Sequence, residues 1–134
     1  MSSDFMRQAI SLALENIRDG GGPFAALVVK GGTVVATGAN RVTATNDPTA
    51  HAEIVAIREA CQKLKAFQLD DCEIYTTCEP CPMCLGAIYW ARPVRVYFAA
   101  TASDERRIPM TEVQRAEALV IFQEWLAKSD KTPY

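Results

Sequence analysis

The sequence lacks the features of a membrane or exported protein. Its apolar runs, such as residues 24–29 and 94–100, are much shorter than the roughly 20 residues that a membrane-spanning helix needs. The N-terminal Met-Ser-Ser-Asp has no basic region followed by an apolar stretch, as a signal peptide would have. We therefore expect a cytoplasmic protein.

Positive charge is also scarce in this sequence. The 14 Lys and Arg residues are outnumbered by 16 Asp and Glu, for a net charge of −2. Proteins that bind nucleic acid through its phosphates usually carry a basic patch, and the closest approach to one here is Arg92, Arg95, Arg106 and Arg107. This balance favours a small-molecule ligand over RNA or DNA.

The cysteine content does not fit a disulfide framework, because an odd number without a signal peptide indicates reduced thiols. The five cysteines are Cys61, Cys72, Cys78, Cys81 and Cys84. Metal binding or burial should therefore account for them.

Hydrophobic periodicity predicts one domain over residues 1–134, since no repeat, linker or low-complexity run interrupts the chain. The predicted helices are 5–17, 50–64, 80–90 and 113–128, and the predicted strands are 24–29, 33–36, 73–77 and 95–99. Residues 40–49 form a predicted polar loop. A helix joins the last two strands, so these should be parallel with a right-handed crossover. The expected fold is a three-layer α/β/α sandwich around a central mixed sheet.

Cys81 and Cys84 form a C-x-x-C motif at the start of a predicted helix. Side chains three residues apart share a helix face, so both sulfurs can reach one ion. The helix N-terminus also favours the thiolate form that binds metal. Taken alone, this motif would also fit a redox dithiol.

The one histidine of the chain, His51, changes this interpretation because Glu53 follows it two residues later. Two residues on an ideal helix lie about 200° apart, so their side chains meet only at a site beyond the helix end. A helix that begins at Ala50 gives that geometry. The N-termini of two helices would then face the same ion.

His51, Cys81 and Cys84 supply three ligands, which leaves the fourth tetrahedral position of zinc open, as in a catalytic site. Zinc lowers the pKa of its bound water to about 7, which supplies hydroxide for attack on a substrate. Glu53 would accept that water's proton and pass it to the substrate. The alternative is a non-catalytic zinc site in which Cys78 is the fourth ligand and Glu53 has no catalytic role. Glu79 is expected to cap the helix start.

Two segments resemble the cytidine deaminase-like superfamily of zinc deaminases: Asp-Pro-Thr-Ala-His-Ala-Glu at 47–53 and Cys-Glu-Pro-Cys-Pro-Met-Cys at 78–84. Within that superfamily, residues 84–93, residues 21–24 and the C-terminal Tyr134 are most similar to bacterial guanine deaminases. The resemblance implies hydrolysis of guanine to xanthine and ammonia. The same metal motifs also occur in tRNA adenosine deaminases, which are the alternative within the family.

The resemblance also implies roles for residues outside the metal motifs. Asn40 should hydrogen-bond the purine edge, Phe24 and Trp90 should line the base pocket, and Ala52 should bind substrate. Bacterial guanine deaminases are dimers that exchange their C-terminal segments. By resemblance, Tyr134 would close the active site of the partner in a homodimer.

The segment after Ala100 departs from the family pattern. The family has a longer acidic and aromatic segment there, which brings another carboxylate to the substrate. Here residues 101–104 lead directly into residues 105–109. Either the protein lacks that segment or a stretch is absent from this sequence, and Asp104 is a candidate replacement for the acid.

Overall fold

The structure is a computed structural model that describes residues 2–100, 114–130 and 132. The chain divides into two compact units, Met1–Ser103 and Asp104–Tyr134. The prediction of one domain over residues 1–134 therefore stays a prediction. Tyr134 and Asp104 lie outside the described residues, and no described helix is long and apolar enough to cross a membrane.

The described part of the first unit contains four helices and four strands. Its helices are α1 (Ser2–Arg18), α2 (Val42–Thr45), α3 (Ala52–Leu64) and α4 (Pro82–Ala91). Its strands are β1 (Ala25–Lys30), β2 (Thr33–Ala39), β3 (Cys72–Cys78) and β4 (Arg95–Ala100). The second unit contains α5 (Arg115–Ala127), which lies within the predicted 113–128.

The four strands form one mixed sheet in the order β2-β1-β3-β4. β1 pairs antiparallel with β2 through the Gly31-Gly32 turn, and on its other edge it pairs antiparallel with β3. β3 and β4 are parallel and are joined through α4. The predicted hairpin, the parallel pair and the mixed sheet are confirmed.

β1 lies in the centre of the sheet and is buried on both faces. Ala26 and Val28 belong to the core that packs against α3 and α4, whereas Leu27 and Val29 belong to the core that packs against α1. This alternation follows from the two-residue period of a strand. Helices thus cover both faces of the sheet, and the predicted three-layer sandwich is confirmed.

Gly38 lets β2 approach α3 unusually closely. A methyl group at this position would overlap the carbonyl oxygen of Ala52 and lie 2.6 Å from the amide nitrogen of Ala56. Both are backbone atoms at the start of α3, so they cannot swing aside as a flexible side chain would. The absence of a side chain at Gly38 therefore sets where the start of this helix lies against the sheet.

The structure corrects the predicted starts of two helices. α3 begins at Ala52 with His51 as its N-cap, so the helix does not start at Ala50. α4 begins at Pro82 with Cys81 as its N-cap, so the first-turn proline is Pro82 and not Pro80. In both cases the first ligand of a metal motif lies just outside its helix. The short helix α2 lies in the segment that was predicted to be loop.

Candidate metal centre

A hydrogen-bonded turn brings His51 to the start of α3. The side-chain Oδ1 of Asp47 accepts from the backbone N–H of Thr49 at 2.9 Å and from its hydroxyl at 2.7 Å. The N–H of Ala50 donates to the carbonyl of Asp47, and the N–H of His51 donates to the carbonyl of Thr49. The two bonds from Thr49 to the carboxylate, and then the nearby Arg58 guanidinium, hold the pKa of Asp47 below its usual value. The backbone direction at His51 is thus fixed before the helix begins.

The start of α4 brings the two cysteines together. Cys81 is the N-cap residue, and its sulfur accepts a hydrogen bond from the N–H of Cys84 at 3.5 Å. The sulfur of Cys81 thus caps this helix, and the capping role expected for Glu79 stays a prediction. An electron-rich sulfur is favoured beside the N–H groups of a helix start.

The imidazole of His51 lies beside both sulfurs. Its Nδ1 is 3.6 Å from the Sγ of Cys81 and 3.5 Å from the Sγ of Cys84. Zinc bonds of about 2.05 Å to nitrogen and 2.3 Å to sulfur, at a tetrahedral angle, place nitrogen and sulfur about 3.5 Å apart. The three side chains therefore fit one zinc ion, and Nδ1 is the ligand atom of the histidine.

Among the described residues, one group of His, Cys, Asp and Glu side chains has its ligand atoms within 4.8 Å of one another. It consists of His51, Cys81 and Cys84, the three predicted ligands. Cys78 and Glu53 are not members of this group. The described residues therefore supply three ligands, as the prediction of an open catalytic site requires.

Glu53 is a buried acid beside this group, with 6% of its surface exposed. Burial, and then the charge of Glu53, raise the pKa of the Cys84 thiol far above its usual value. Burial therefore outweighs the lowering of the thiol pKa that the helix start was expected to give. A bound cation would favour the thiolate form of Cys84 instead, because a thiol that coordinates a metal ion is deprotonated outright. A cation held by these side chains would offset the cost of burying both negative charges.

A cavity of about 170 Å³ opens beside the three ligands. Three of the predicted substrate-binding residues, Phe24, Asn40 and Ala52, line it together with Glu53. Cavities that hold drug-sized ligands are about 300–1,000 Å³, so this one suits a smaller molecule. Cys78 and Glu79 also line the cavity, a role that the sequence did not predict for either.

The side chain of Asn40 has a defined orientation at this cavity. Its Oδ1 accepts a hydrogen bond from the N–H of Val42 at 3.2 Å, and the backbone N–H of Asn40 donates to the carbonyl of Phe24 at 3.2 Å. A carboxamide has one oxygen acceptor and two N–H donors. With the oxygen engaged, the side-chain NH₂ is the group offered to a ligand.

Trp90 is not among the described residues that line the cavity, although it was predicted to do so. It lies at the far end of α4 and is 62% exposed. It lies six positions after Cys84, which corresponds to about 9 Å along a helix. In the described part of the chain it thus lies away from the metal end, and its contact with a base stays a prediction.

The family model for the cytidine and deoxycytidylate deaminase zinc-binding region matches residues 1–100. This match covers the sheet, the helices that flank it and all three candidate ligands. It therefore covers the whole of the described candidate site.

Several known proteins are similar to this chain. A guanine deaminase from Bacillus subtilis is 48% identical over 97% of each chain. Its crystal structure superposes with a TM-score of 0.86 over 98% of each chain. A tRNA-specific adenosine deaminase from Aquifex aeolicus is 41% identical over 72% of this chain and 64% of its own.

The alignment with the Bacillus subtilis protein also shows a difference in length. It spans 151 positions, 17 more than the 134 residues of this chain. The relative therefore contains residues with no counterpart here. That the missing residues belong to the segment after Ala100 stays a prediction.

Proposed function

Because this chain belongs to the cytidine and deoxycytidylate deaminase zinc-binding family, we propose that it is a zinc-dependent hydrolase that converts guanine to xanthine and ammonia. The observation that carries the proposal is the similarity to a guanine deaminase over nearly the full length of both chains. The tRNA deaminase from Aquifex aeolicus matches over only part of either chain.

The charge of the cavity supports a free base rather than a nucleic acid. The described residues that line it include Glu53 and Glu79 but no Lys or Arg. A polyanionic substrate gains affinity chiefly by pairing its phosphates with cationic side chains. An uncharged purine base needs no such partner, so this lining suits guanine better than an anticodon loop.

His51, Cys81 and Cys84 would hold the zinc ion. Bound there, zinc supplies a Lewis acid that makes water nucleophilic near neutral pH. Glu53 lies beside the ligands and, because it is not one of them, keeps its carboxylate for proton transfer. It accepts the proton of the attacking water and delivers it to the amine as the carbon–nitrogen bond breaks.

Phe24 and Asn40 would hold the base beside the zinc ligands and Glu53. Phe24 presents an aromatic ring to the cavity, on which a flat purine can stack. Asn40 offers its NH₂ group, so it pairs with an acceptor such as a ring nitrogen or the carbonyl oxygen of guanine. Ala52, between His51 and Glu53, lines the same cavity.

The substrate test compares guanine with adenosine in a tRNA anticodon stem-loop. The zinc-loaded protein should release xanthine and ammonia from guanine in equal amounts and should leave the stem-loop unchanged. Xanthine is followed by its absorbance, and inosine by nucleoside analysis of the digested RNA. Formation of inosine without xanthine would contradict the proposal and favour the tRNA deaminase.

The proposal includes a homodimer that exchanges C-terminal segments. Large apolar side chains are exposed on two parts of the chain, which is typical of surfaces that meet a partner. On α4 and near β4 they include Tyr89, Val94 and Phe98, and on α5 they include Ile121 and Phe122. The exchange would bring Tyr134 of one protomer to the active site of the other.

Mixing two inactive variants tests whether Tyr134 acts in the partner. A heterodimer of Glu53→Gln and Tyr134→Ala would contain one intact site if Tyr134 acts across the interface, because intact groups from both chains meet there. If Tyr134 acts within its own chain, no site is intact and the mixture stays inactive. The masses of the single proteins in solution show whether either one dimerises.

A further inference from the structure

We propose that Asn16, near the end of α1, is a positioning residue that ties together the two loops that carry Phe24 and Asn40. The proposal deepens the proposed function, on which it rests for the identity of the ligand that these two side chains bind. Asn16 itself does not line the cavity, so it would act through them.

The side-chain nitrogen of Asn16 donates two hydrogen bonds to two different loops. Its Nδ2 lies 2.9 Å from the carbonyl oxygen of Gly22 and 3.0 Å from that of Asn40. Gly22 and Asn40 are separated by β1 and β2, so their proximity depends on tertiary structure. Because a carboxamide nitrogen has two hydrogens, it can serve both carbonyls at once.

Both bonded loops lead directly to the base-binding side chains. The carbonyl of Gly22 also accepts from the N–H of Phe24 at 3.0 Å. The N–H of Asn40 in turn donates to the carbonyl of Phe24 at 3.2 Å. Asn16, Gly22, Phe24 and Asn40 therefore form a closed set of hydrogen bonds, in which a shift of either loop strains the other.

Two glycines make room for this arrangement. A methyl group at Gly21 would overlap the side-chain amide of Asn16, and one at Gly22 would lie 3.0 Å from the Cγ of Asn40. The loop thus packs directly against the two asparagine side chains. This packing explains why the glycine-rich segment follows α1, beyond its use as a turn.

The arrangement requires a donor at position 16. Aspartate has nearly the same shape as asparagine but, when ionised, only accepts hydrogen bonds. In Asn16→Asp a carboxylate would therefore face two carbonyl oxygens, and the two loops would separate. Metal binding should persist, because none of the three ligands lies on these loops.

The experiment compares Asn16→Asp with Gln8→Glu, the same amide-to-acid exchange at an exposed position of the same helix. We expect Asn16→Asp to raise KM for guanine about tenfold, the effect of losing hydrogen bonds of ordinary strength. We expect a smaller change in kcat and full zinc content, since binding is weakened while the reacting groups stay in place. Gln8→Glu should leave KM, kcat and zinc content unchanged.

Amide hydrogen exchange gives a readout that does not depend on activity. In Asn16→Asp, exchange should accelerate in residues 22–25 and 40–42 while the core of the sheet stays protected. Faster amide exchange across the whole sheet, with a matching loss of thermal stability, would show that Asn16 stabilises the fold in general. This result would overturn the proposal. Unchanged KM and unchanged exchange in both loops would also overturn it.

The same measurements separate this inference from the proposed function. If the native protein does not turn over guanine, the proposed substrate is wrong, and hydrogen exchange still decides whether Asn16 holds the loops. If Asn16→Asp fails to fold, Asn16→Ser replaces it, because a hydroxyl has one donor, ends one bond short of the amide nitrogen and cannot hold both carbonyls. In Asn16→Ser one loop should lose protection, and full protection of both loops would overturn the proposal.

Discussion

The Nδ1 of His51 lies 3.5 Å from the Sγ of Cys84, although 33 positions separate the two residues in the sequence. His51 caps α3, and Cys84 lies in the first turn of α4. The start of each helix is fixed by the sheet on which it packs, so the fold brings these two atoms together. Two helix starts that meet in this way form the metal centre of the proposed enzyme.

Substitution of the cysteines distinguishes a catalytic zinc site from a structural one. Cys84→Ser should lose most of its zinc, because Cys84 is one of the three clustered ligands. Cys78→Ser should retain about one zinc per chain, because a catalytic site uses three protein ligands. Zinc content is measured by elemental analysis of the dialysed proteins. Loss of zinc from Cys78→Ser would support the closed scaffold instead.

Gly38→Ala should destabilise the protein by about 1–3 kcal/mol, the usual cost of inserting an atom into a packed interior. The added methyl group would overlap the carbonyl oxygen of Ala52 at the start of α3. Zinc affinity should also fall, because His51 caps that helix. Urea denaturation gives the free energy of unfolding, and a zinc-chelator titration gives the affinity.

Gly86→Ala is the matched control for this substitution. Gly86 lies within α4, and a methyl group there would meet no atom within 4 Å. Alanine is favoured over glycine inside a helix by up to about 1 kcal/mol, so this variant should be as stable as the native protein or more stable. Equal destabilisation by both substitutions would contradict the role given to Gly38.

The layers of the fold could be predicted because each helix and strand has a hydrophobic pattern in its own short segment. The order of these elements along the chain then limits how the strands can pair. The run of apolar residues at 24–29 predicted a buried strand, and the helix between the last two strands predicted their parallel pairing. Both are present as β1 and as the β3–β4 pair. Helix starts were less accurate, because they depend on which residue caps the helix. His51 and Cys81 proved to be the caps, and neither is a residue type favoured at that position.

The metal ligands could be predicted because their spacing is specific to one chemistry, but the residues that support them could not. Gly38 packs against the backbone of a helix that is distant in the sequence, and Asn16 donates hydrogen bonds to the carbonyls of two loops. No pattern within a short segment of the sequence predicts such contacts. A glycine within a strand and a glycine-rich turn after a helix were the available signals, and each has other common explanations.

The pH dependence of stability tests the turn that precedes His51. The pKa of Asp47 is lowered in the folded state, chiefly by the Thr49 hydroxyl and N–H. The unfolded value is about 3.9, so the stabilisation is present above that pH and is lost as pH falls through the lower folded value. In urea denaturation, the stability difference between native protein and Asp47→Asn should be constant near neutral pH and should shrink with acid.

Thr49→Val serves as the control for this pH profile, because it keeps the Asp47 carboxylate but removes the hydroxyl donor. Its stability should respond to acid less than that of the native protein and more than that of Asp47→Asn. A stability difference between native protein and Asp47→Asn that does not change from neutral pH to pH 3 would contradict the role given to Asp47.

Guanine turnover by Glu53→Gln at full zinc content decides whether this carboxylate transfers the proton in a zinc-dependent deaminase. Glu53 is buried beside the ligands but is not one of them, so this variant should bind zinc normally. Loss of the proton-transferring group should lower kcat about 10²- to 10⁴-fold. Glu59→Gln, which removes an exposed ion pair with Lys63 in the same helix, should leave turnover unchanged. Full turnover by zinc-loaded Glu53→Gln would contradict the account.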